Sequence, residues 1–357
     1  MQALIPFTIA FFATVAFVLL SRPVAHRWGW LDSPGRLKSH EVPTPLVGGP
    51  AIFVGITLAV FFTGPKLGAN HLLFNMFPLL LLGLVDDIWK LRPFSRLIVQ
   101  VAVILQMILV HQASFISLGN LFGSGDIALG ALTIPFTVIA MVGLMNAINL
   151  ADGMDGLAGG YAAVALGLLA LAATTLGAAG LLTTLLISLG AVLGFLVFNL
   201  RHPWRTQASI FMGDSGSLIL GLVLGAVTYK ITQRPVSFMP PVVALWIFAL
   251  PLMDTVAIMI RRIAQGKSPL SGDRQHLHHL ISEAGFSHGQ AVAVLLAAAL
   301  LSGVAGLVAW QLGVPEWAMM AAFLLASGAY LWFTFHPSKT VARVSSLYQA
   351  LLRVRNA

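Results

Sequence analysis

Residues 131–156 read ALTIPFTVIAMVGLMNAINLADGMDG. Stretch 131–148 is almost wholly apolar and close to the length a helix needs to cross a bilayer core. It ends in Asn146, Asn149, Asp152 and Asp155, spaced three residues apart. Two carboxylates and two carboxamides at a membrane boundary are costly to place without a purpose. On an α-helix a step of three turns 300°, so successive side chains drift by about 60°. Asn146 to Asp152 would share a broad face while Asp155 points away. Gly153 and Gly156 favour a helix that loosens or ends here, which would let all four converge. Oxygen-rich groups of this kind suit hard cations such as Mg²⁺. One Asn or Asp could be an ordinary helix cap; four in register argue against capping alone.

The 357-residue chain is 58% hydrophobic and 9% charged, which excludes an ordinary soluble domain. Eleven apolar stretches near spanning length recur, at roughly 3–21, 46–64, 70–85, 97–112, 131–148, 157–176, 179–198, 217–231, 241–260, 290–312 and 316–335. The expected fold class is an all-α polytopic membrane protein. Residues 1–335 form its membrane domain, and 336–357 a basic amphipathic cytoplasmic tail lying on the membrane. The first span lacks a basic n-region and a small-x-small cleavage site, so it is expected to be retained. With no Cys, disulfide frameworks and thiolate metal sites are excluded.

Charge orients the spans. With the N-terminus outside, seventeen of the twenty Lys and Arg fall in inward loops; only Lys66, Lys230 and Arg234 do not. The positive-inside rule therefore predicts N-out, C-in. Nine of the twelve acids are also inside, Asp126 and Glu316 being outside and Asp254 within the ninth span. Eight of the ten His are inside, the exceptions being His71 and His111. The chemistry is expected on the cytoplasmic face. The net charge of +8 suits an anionic inner leaflet and needs no nucleic-acid partner.

Other motifs follow the same sidedness. The first inward loop, Ser21 to Pro45, reads as an extended connection, and its Lys38 and His40 could reach a phosphate or merely serve sidedness. Asp86 and Asp87 are adjacent and diverge by about 100° on a helix. One could serve as base or metal ligand while the other makes a structural pair; Arg92 and Arg96 could bind a carboxylate or phosphate. No Lys or Arg then appears until Arg201, so a metal ion or basic residues from other loops must neutralise the Asn/Asp motif. Spacings Gly190-x-x-x-Gly194 and Gly221-x-x-x-Gly225 predict close helix contact. In IFMGDSGSLILG, Phe211 and Met212 precede a small-residue turn that opens a helix. Asp214 there would repel phosphate directly and fits better as ligand to a bridging metal, or as an N-cap. Asp254 is expected to pair with Arg261, Arg262 or another helix. In SPLSGDRQHLHHLISEAGF, His276, His278 and His279 beside Arg274 suit phosphate oxygens better than zinc.

Together PLVGG, Asp86-Asp87, NAINLADGMDGLAGG, FMGDSGS, PLMDTVAIMIRR and SPLSGDRQHLHHLI resemble the polyprenyl-phosphate N-acetylhexosamine-1-phosphate transferases, in the order found in that family. The RQHLHHLI form is most similar to the branch that starts O-antigen and common-antigen chains. The resemblance implies transfer of N-acetylglucosamine 1-phosphate from UDP-GlcNAc to undecaprenyl phosphate, with UMP released, in the bacterial inner membrane. It implies Mg²⁺ or Mn²⁺ as cofactor and a homodimer. Asp214 and Asn149 resemble the metal ligands. Asp86 matches the residue that deprotonates or orients the lipid phosphate, with Asp87 beside it. Asp152 and Asp155 match nucleotide-pocket acids, and Phe211 an aromatic that stacks on uracil. Lys38, His40, Arg96, Asn146, Arg274, His276, His278 and His279 complete the implied substrate site, the His cluster holding phosphate. Arg96 stands where many relatives carry Lys.

Another UDP-HexNAc or UDP-MurNAc-pentapeptide is the alternative donor. A flippase or transporter is the rival class. Transporters place ionisable groups near the midplane on broken helices, often in repeated halves. Here the charges gather on one face.

Overall fold

The computed structural model describes residues 4–33, 42–64, 69–233, 239–268 and 276–356. Lys38, His40 and Arg274 lie outside the described residues. The chain divides into two compact units, Met1–Gly119 with Asp126–Pro241, and Asn120–Gly125 with Val242–Ala357.

The first unit holds α1 (Leu4–Trp28), β1 (Leu31–Asp32), β2 (Thr44–Pro45), α2 (Gly48–Thr63), α3 (Ala69–Trp89), α4 (Pro93–His111), α5 (Thr133–Ala151), α6 (Leu157–Thr175), α7 (Ala179–Asn199) and α8 (Gly213–Thr232). β1 and β2 form a short antiparallel pair, Leu31 opposite Pro45 and Asp32 opposite Thr44. α8 is the core element: 89% of its most apolar window is buried. Helices α2, α3, α5, α6 and α7 all pack on it. Glycine makes that possible. A Cβ at Gly221 would lie 2.4 Å from the Met145 Cα of α5, and one at Gly190 2.4 Å from the Phe7 carbonyl of α1. Both small-residue spacings are thus helix contacts, α8 on α5 and α7 on α1.

One reading of the first loop is corrected. The extended connection does not begin at Ser21, because α1 continues through Pro23 to Trp28. Proline removes one intrahelical hydrogen bond, and at the exposed Pro23 the helix continues past that loss. The helix stops at Gly29, whose φ of +70° favours glycine.

The second unit holds α9 (Pro241–Ile247), α10 (Ala249–Ala264), α11 (Leu277–Glu283), α12 (His288–Gln311), α13 (Glu316–Thr334) and α14 (Pro337–Asn356). α9 and α10 meet at an 81° bend, so the ninth expected span is broken. Buried Arg261 of α10 donates to the Thr334 carbonyl at the end of α13. α12 opens with a capping box between Ser287 and Gln290. Tyr348 of α14 stacks near Phe286, centroids 4.1 Å apart, and donates to Gln290 Oε1 at 3.0 Å.

Among the described residues nine helices are long and apolar enough to cross a membrane, and the bent pair makes ten. The remaining expected span is α2, whose sixteen residues reach only about 24 Å against a core of about 30 Å. The chain is a multi-pass, all-helical membrane protein.

Gly221→Val should push α5 from α8 and destabilise the fold by about 1–3 kcal/mol. Thermal unfolding in detergent should show a clearly lower midpoint; an unchanged one would mean the contact yields freely.

Candidate active site

The site is built on the N-terminus of α8. Residues before this helix pair backbone to backbone with the start of α2. Gly48 N–H donates to Phe211 O and Gly49 N–H to Met212 O, both at 3.0 Å, while Phe211 N–H donates to Pro45 O at 2.8 Å. Phe211 is half-buried at this junction. The approach leaves no room for side chains: a Cβ at Gly49 would lie 2.5 Å from Gly216 N, and one at Gly83 2.1 Å from Ser215 N.

Helix α3 delivers the two adjacent acids in different directions. Asp87 Oδ1 accepts the Asp214 backbone N–H at 3.0 Å, so it caps α8 from another helix. Its Oδ2 is buried without a partner. Asp86 is 2% exposed and both of its oxygens are engaged. Oδ1 accepts Leu91 N–H at 2.6 Å, and Oδ2 accepts Arg96 Nη1 at 2.6 Å. Arg96, on α4, also lies 3.5 Å from Asp214 Oδ1.

The Asn/Asp motif supplies the opposite wall. α5 ends at Ala151, and Gly156 with φ of +84° precedes α6, so the helix does break at the motif. Asn149 Nδ2 donates to Asp214 Oδ1 at 2.6 Å and to Ser217 Oγ at 2.9 Å, joining α5 to α8. Asp152 makes no hydrogen bond through its carboxyl among the described residues. Burial first, then the charges of Asp214, Asp155 and Asp87, raises its pKa well above the usual carboxylate range. Asp155 turns to Arg201, accepting from Nε at 2.6 Å, and accepts Ala208 N–H at 3.2 Å. Asn146 stays within the bundle, donating to Gln100 Oε1 at 2.7 Å and to the Val142 carbonyl at 2.8 Å. Cations from other segments thus reach the motif, as one of the two sequence alternatives required.

Among the described residues, Asp86, Asp87, Asp152, Asp155 and Asp214 face two guanidinium groups, Arg96 and Arg201, with the Lys90 ammonium acting on Asp87. The surplus is negative and the free donors are oxygens: the Asp152 carboxyl, Asp87 Oδ2 and the Asn149 carboxamide oxygen. Such a set fits a hard divalent cation. Among the described residues, no three His, Cys, Asp or Glu side chains are grouped tightly enough to hold a metal by themselves. Mg²⁺ commonly takes one or two carboxylates and completes its shell with phosphate and water. Asp214 could supply one carboxylate to such a shell, and Asn149 beside it a carboxamide oxygen.

In the second unit His276 precedes α11 and is buried, its Nδ1 lying 2.8 Å from Asp254 Oδ2. Asp254 Oδ1 also accepts Leu277 N–H at 3.1 Å and Tyr330 Oη–H at 2.8 Å. Asp254 therefore holds His276 and the start of α11, where pairing with Arg261 or Arg262 was one sequence expectation. Rings of His276 and His278 are parallel at 5.5 Å, and those of His278 and His279 lie 4.2 Å apart. Burial, then repulsion from His279 and His276, pulls His278 down to about 3.

Three structural residues escaped the sequence reading. Buried Asn199 accepts Gly156 N–H at 2.8 Å and donates to Ile210 O at 3.0 Å, tying the motif loop to the approach to α8. Gln100 and Ser217 hold the two motif carboxamides. A polar residue within an apolar span is the only signal that marked Asn199 and Gln100.

Asp87→Ala should lose about 1–3 kcal/mol by stripping the buried Asp214 N–H of its acceptor, whereas Asp87→Asn keeps a carbonyl there and most of the stability. Equal thermal midpoints for the two variants would remove the capping role. His278 has a folded pKa below its unfolded value of about 6.5, so the unfolded chain binds protons first on acidification. Its contribution to stability is full above that pH and shrinks as pH falls toward about 3. The drop in midpoint between neutral pH and pH about 5 should be smaller in His278→Asn.

Residues 70–232 match the family described as Glycosyl transferase family 4, a range that includes α8 and the Asn/Asp motif. The chain is 37% identical over 324 residues to the undecaprenyl-phosphate alpha-N-acetylglucosaminyl 1-phosphate transferase of Escherichia coli (strain K12), covering 90% of this chain and 88% of that one. To the protein of that name from Yersinia pestis it is 36% identical over 318 residues, 88% of this chain and 87% of the other. The Haemophilus influenzae protein of the same name is 32% identical over 353 residues, 98% of this chain and 99% of its own. Similarity of that extent over nearly the full length of each relative means that this chain belongs to the polyprenyl-phosphate N-acetylhexosamine-1-phosphate transferase family and is a sugar-phosphate transferase.

Proposed function

We propose that the chain transfers N-acetylglucosamine 1-phosphate from UDP-GlcNAc to undecaprenyl phosphate. An oxygen of the lipid phosphate attacks the phosphorus bonded to the sugar oxygen. The bond from that phosphorus to the UMP oxygen breaks, UMP leaves, and the sugar C1–O bond is kept. This is the first membrane step of a cell-surface polysaccharide. The observation that carries the reading is the convergence of Asp86, Asn149, Asp152, Arg96 and Asp214 at the buried N-terminus of α8.

Phosphoryl transfer between two anions needs alignment and charge neutralisation above all. Bound Mg²⁺ or Mn²⁺, held by Asp214 and Asn149, would supply neutralisation and orient the diphosphate. With both oxygens engaged, Asp86 has as its first task to aim Arg96, whose other N–H groups can donate to phosphate oxygens. Asp152 and Asp155 shape the nucleotide side, Asp155 being tethered by Arg201. Phe211 offers the aromatic face for uracil, and His276, His278 and His279 are read, from the family resemblance, as phosphate-binding imidazoles. With α2 counted as a short span, eleven spans in N-out, C-in orientation in the bacterial cytoplasmic membrane would put this chemistry at the cytoplasmic face, where a soluble nucleotide and a lipid phosphate meet.

Purified chain with undecaprenyl phosphate and a panel of UDP-sugars should release UMP fastest with UDP-GlcNAc. EDTA should abolish release and Mg²⁺ or Mn²⁺ restore it. Asp214→Asn should lose at least about a hundredfold in rate while remaining folded. A wild-type rate in that variant or in chelator would overturn the metal assignment. Faster turnover of another UDP-HexNAc or UDP-MurNAc-pentapeptide would overturn the donor assignment. Substrate movement across proteoliposomes without UMP release would favour a transporter instead.

A further inference from the structure

The residues that break the chain's charge sidedness meet in one place. Of the twenty Lys and Arg only Lys66, Lys230 and Arg234 fall on the outward side in the sequence pattern, and of the ten His only His71 and His111. In the folded first unit His71, His111 and Lys230 line a single cavity of about 420 Å³, formed where α3 begins and α4 and α8 end. Lys66 and Arg234 lie outside the described residues. This cavity is remote from the acidic site. It sits about 22 Å along α3 from Asp86 and about 24 Å along α8 from Asp214 at a rise of 1.5 Å per residue.

The lining chemistry is one-sided. No Asp or Glu lines the cavity among the described residues. Several of its neutral polar groups already serve the fold. Asn75 donates to the His71 carbonyl, Tyr229 Oη–H to the Gln112 carbonyl, and Gln233 both donates to and accepts from Ser117. The two imidazoles are different. Their centroids lie 4.0 Å apart, and His111 Nε2 is buried without a hydrogen-bond partner. An orphaned buried nitrogen calls for a ligand or a reason. Beside a lysine and a second imidazole, with no carboxylate among the described lining residues, that ligand is an anion. Imidazole N–H groups and an ammonium are donors suited to phosphate oxygens. Val110, on the cavity wall, is 63% exposed and continues into exposed Leu109, an apolar track along α4 that a lipid tail could follow.

We propose that this cavity is a second phosphate-binding site, at the end of α3, α4 and α8 opposite the catalytic acids, formed by His71, His111 and Lys230. The phosphate is that of a lipid headgroup or a free anion.

The test uses the full chain in nanodiscs of phosphatidylcholine, with or without phosphatidylglycerol, and in phosphatidylcholine discs titrated with inorganic phosphate. The readouts are the ligand-induced shift in thermal midpoint and the lipids retained in native mass spectrometry. Lys230→Met keeps the aliphatic stem and removes the charge. His71→Asn and His111→Gln probe the other two helices. Each variant should bind the stabilising anion about tenfold more weakly than wild type. Stabilisation by phosphatidylglycerol alone identifies a lipid headgroup; stabilisation by inorganic phosphate in phosphatidylcholine discs identifies a free anion. Identical shifts and retention in wild type and all three variants would overturn the proposal. So would stabilisation by Zn²⁺ with no response to either anion, which would make the imidazole pair a metal site.

Discussion

A buried helix start has to find partners for its free N–H groups, and in this protein that need shapes the site. The first turn of α8 lies inside the bundle, where water is scarce and an unpaired N–H costs about 1–3 kcal/mol. Asp87 supplies the acceptor from α3. To do so α3 must come so close that Gly83 can carry no side chain, and Gly213 likewise, since its Cβ would lie 2.5 Å from Asp87 Oδ2. Once Asp87 is committed, its neighbour Asp86 is turned about 100° away and meets Arg96. One cap therefore sets the positions of two acids and a guanidinium. Asn149 then closes the other side by bonding Asp214 and Ser217.

Much of this was legible because membrane chains spend polar residues sparingly. The break at Gly153 and Gly156, the divergence of Asp86 and Asp87, and both glycine spacings follow from period and composition. What was not legible has a common physical form: a contact across a long stretch of chain. Asp87 reaches a backbone N–H 127 positions away, and Asn199 reaches Gly156 across 43. Asp254 had Arg261 within two helical turns but bonds His276 and Tyr330, because the helix bend and the position of α13 decide its neighbours. Pro23 reads as a stop, yet α1 carries it in its interior and runs on to Trp28. Span lengths mislead for a related reason. α2 needs only to place Gly48 and Gly49 against α8, and sixteen residues suffice for that.

Electrostatics separates the two ends of α8. At its start, carboxylates outnumber guanidinium groups, which suits a divalent ion and through it a diphosphate. At its far end, imidazoles and an ammonium meet with no carboxylate among the lining residues described. A helix dipole favours this same arrangement, with anions at the N-terminus and cations at the C-terminus. Lys230 in the last turn obeys that preference, and Asp214 in the first turn obeys it too. The dipole therefore favours the places where these protein charges sit. A helix whose own ends are neutralised in this way has little tendency to shift along its axis. Glycine contacts at Gly49, Gly83 and Gly221 bring the α8 backbone within close reach of α2, α3 and α5 and restrict sliding. Rigidity of α8 is then a property of the sequence rather than of any bound substrate. The role proposed for Asp214 would draw on this preset geometry, since electrostatic catalysis requires groups already oriented.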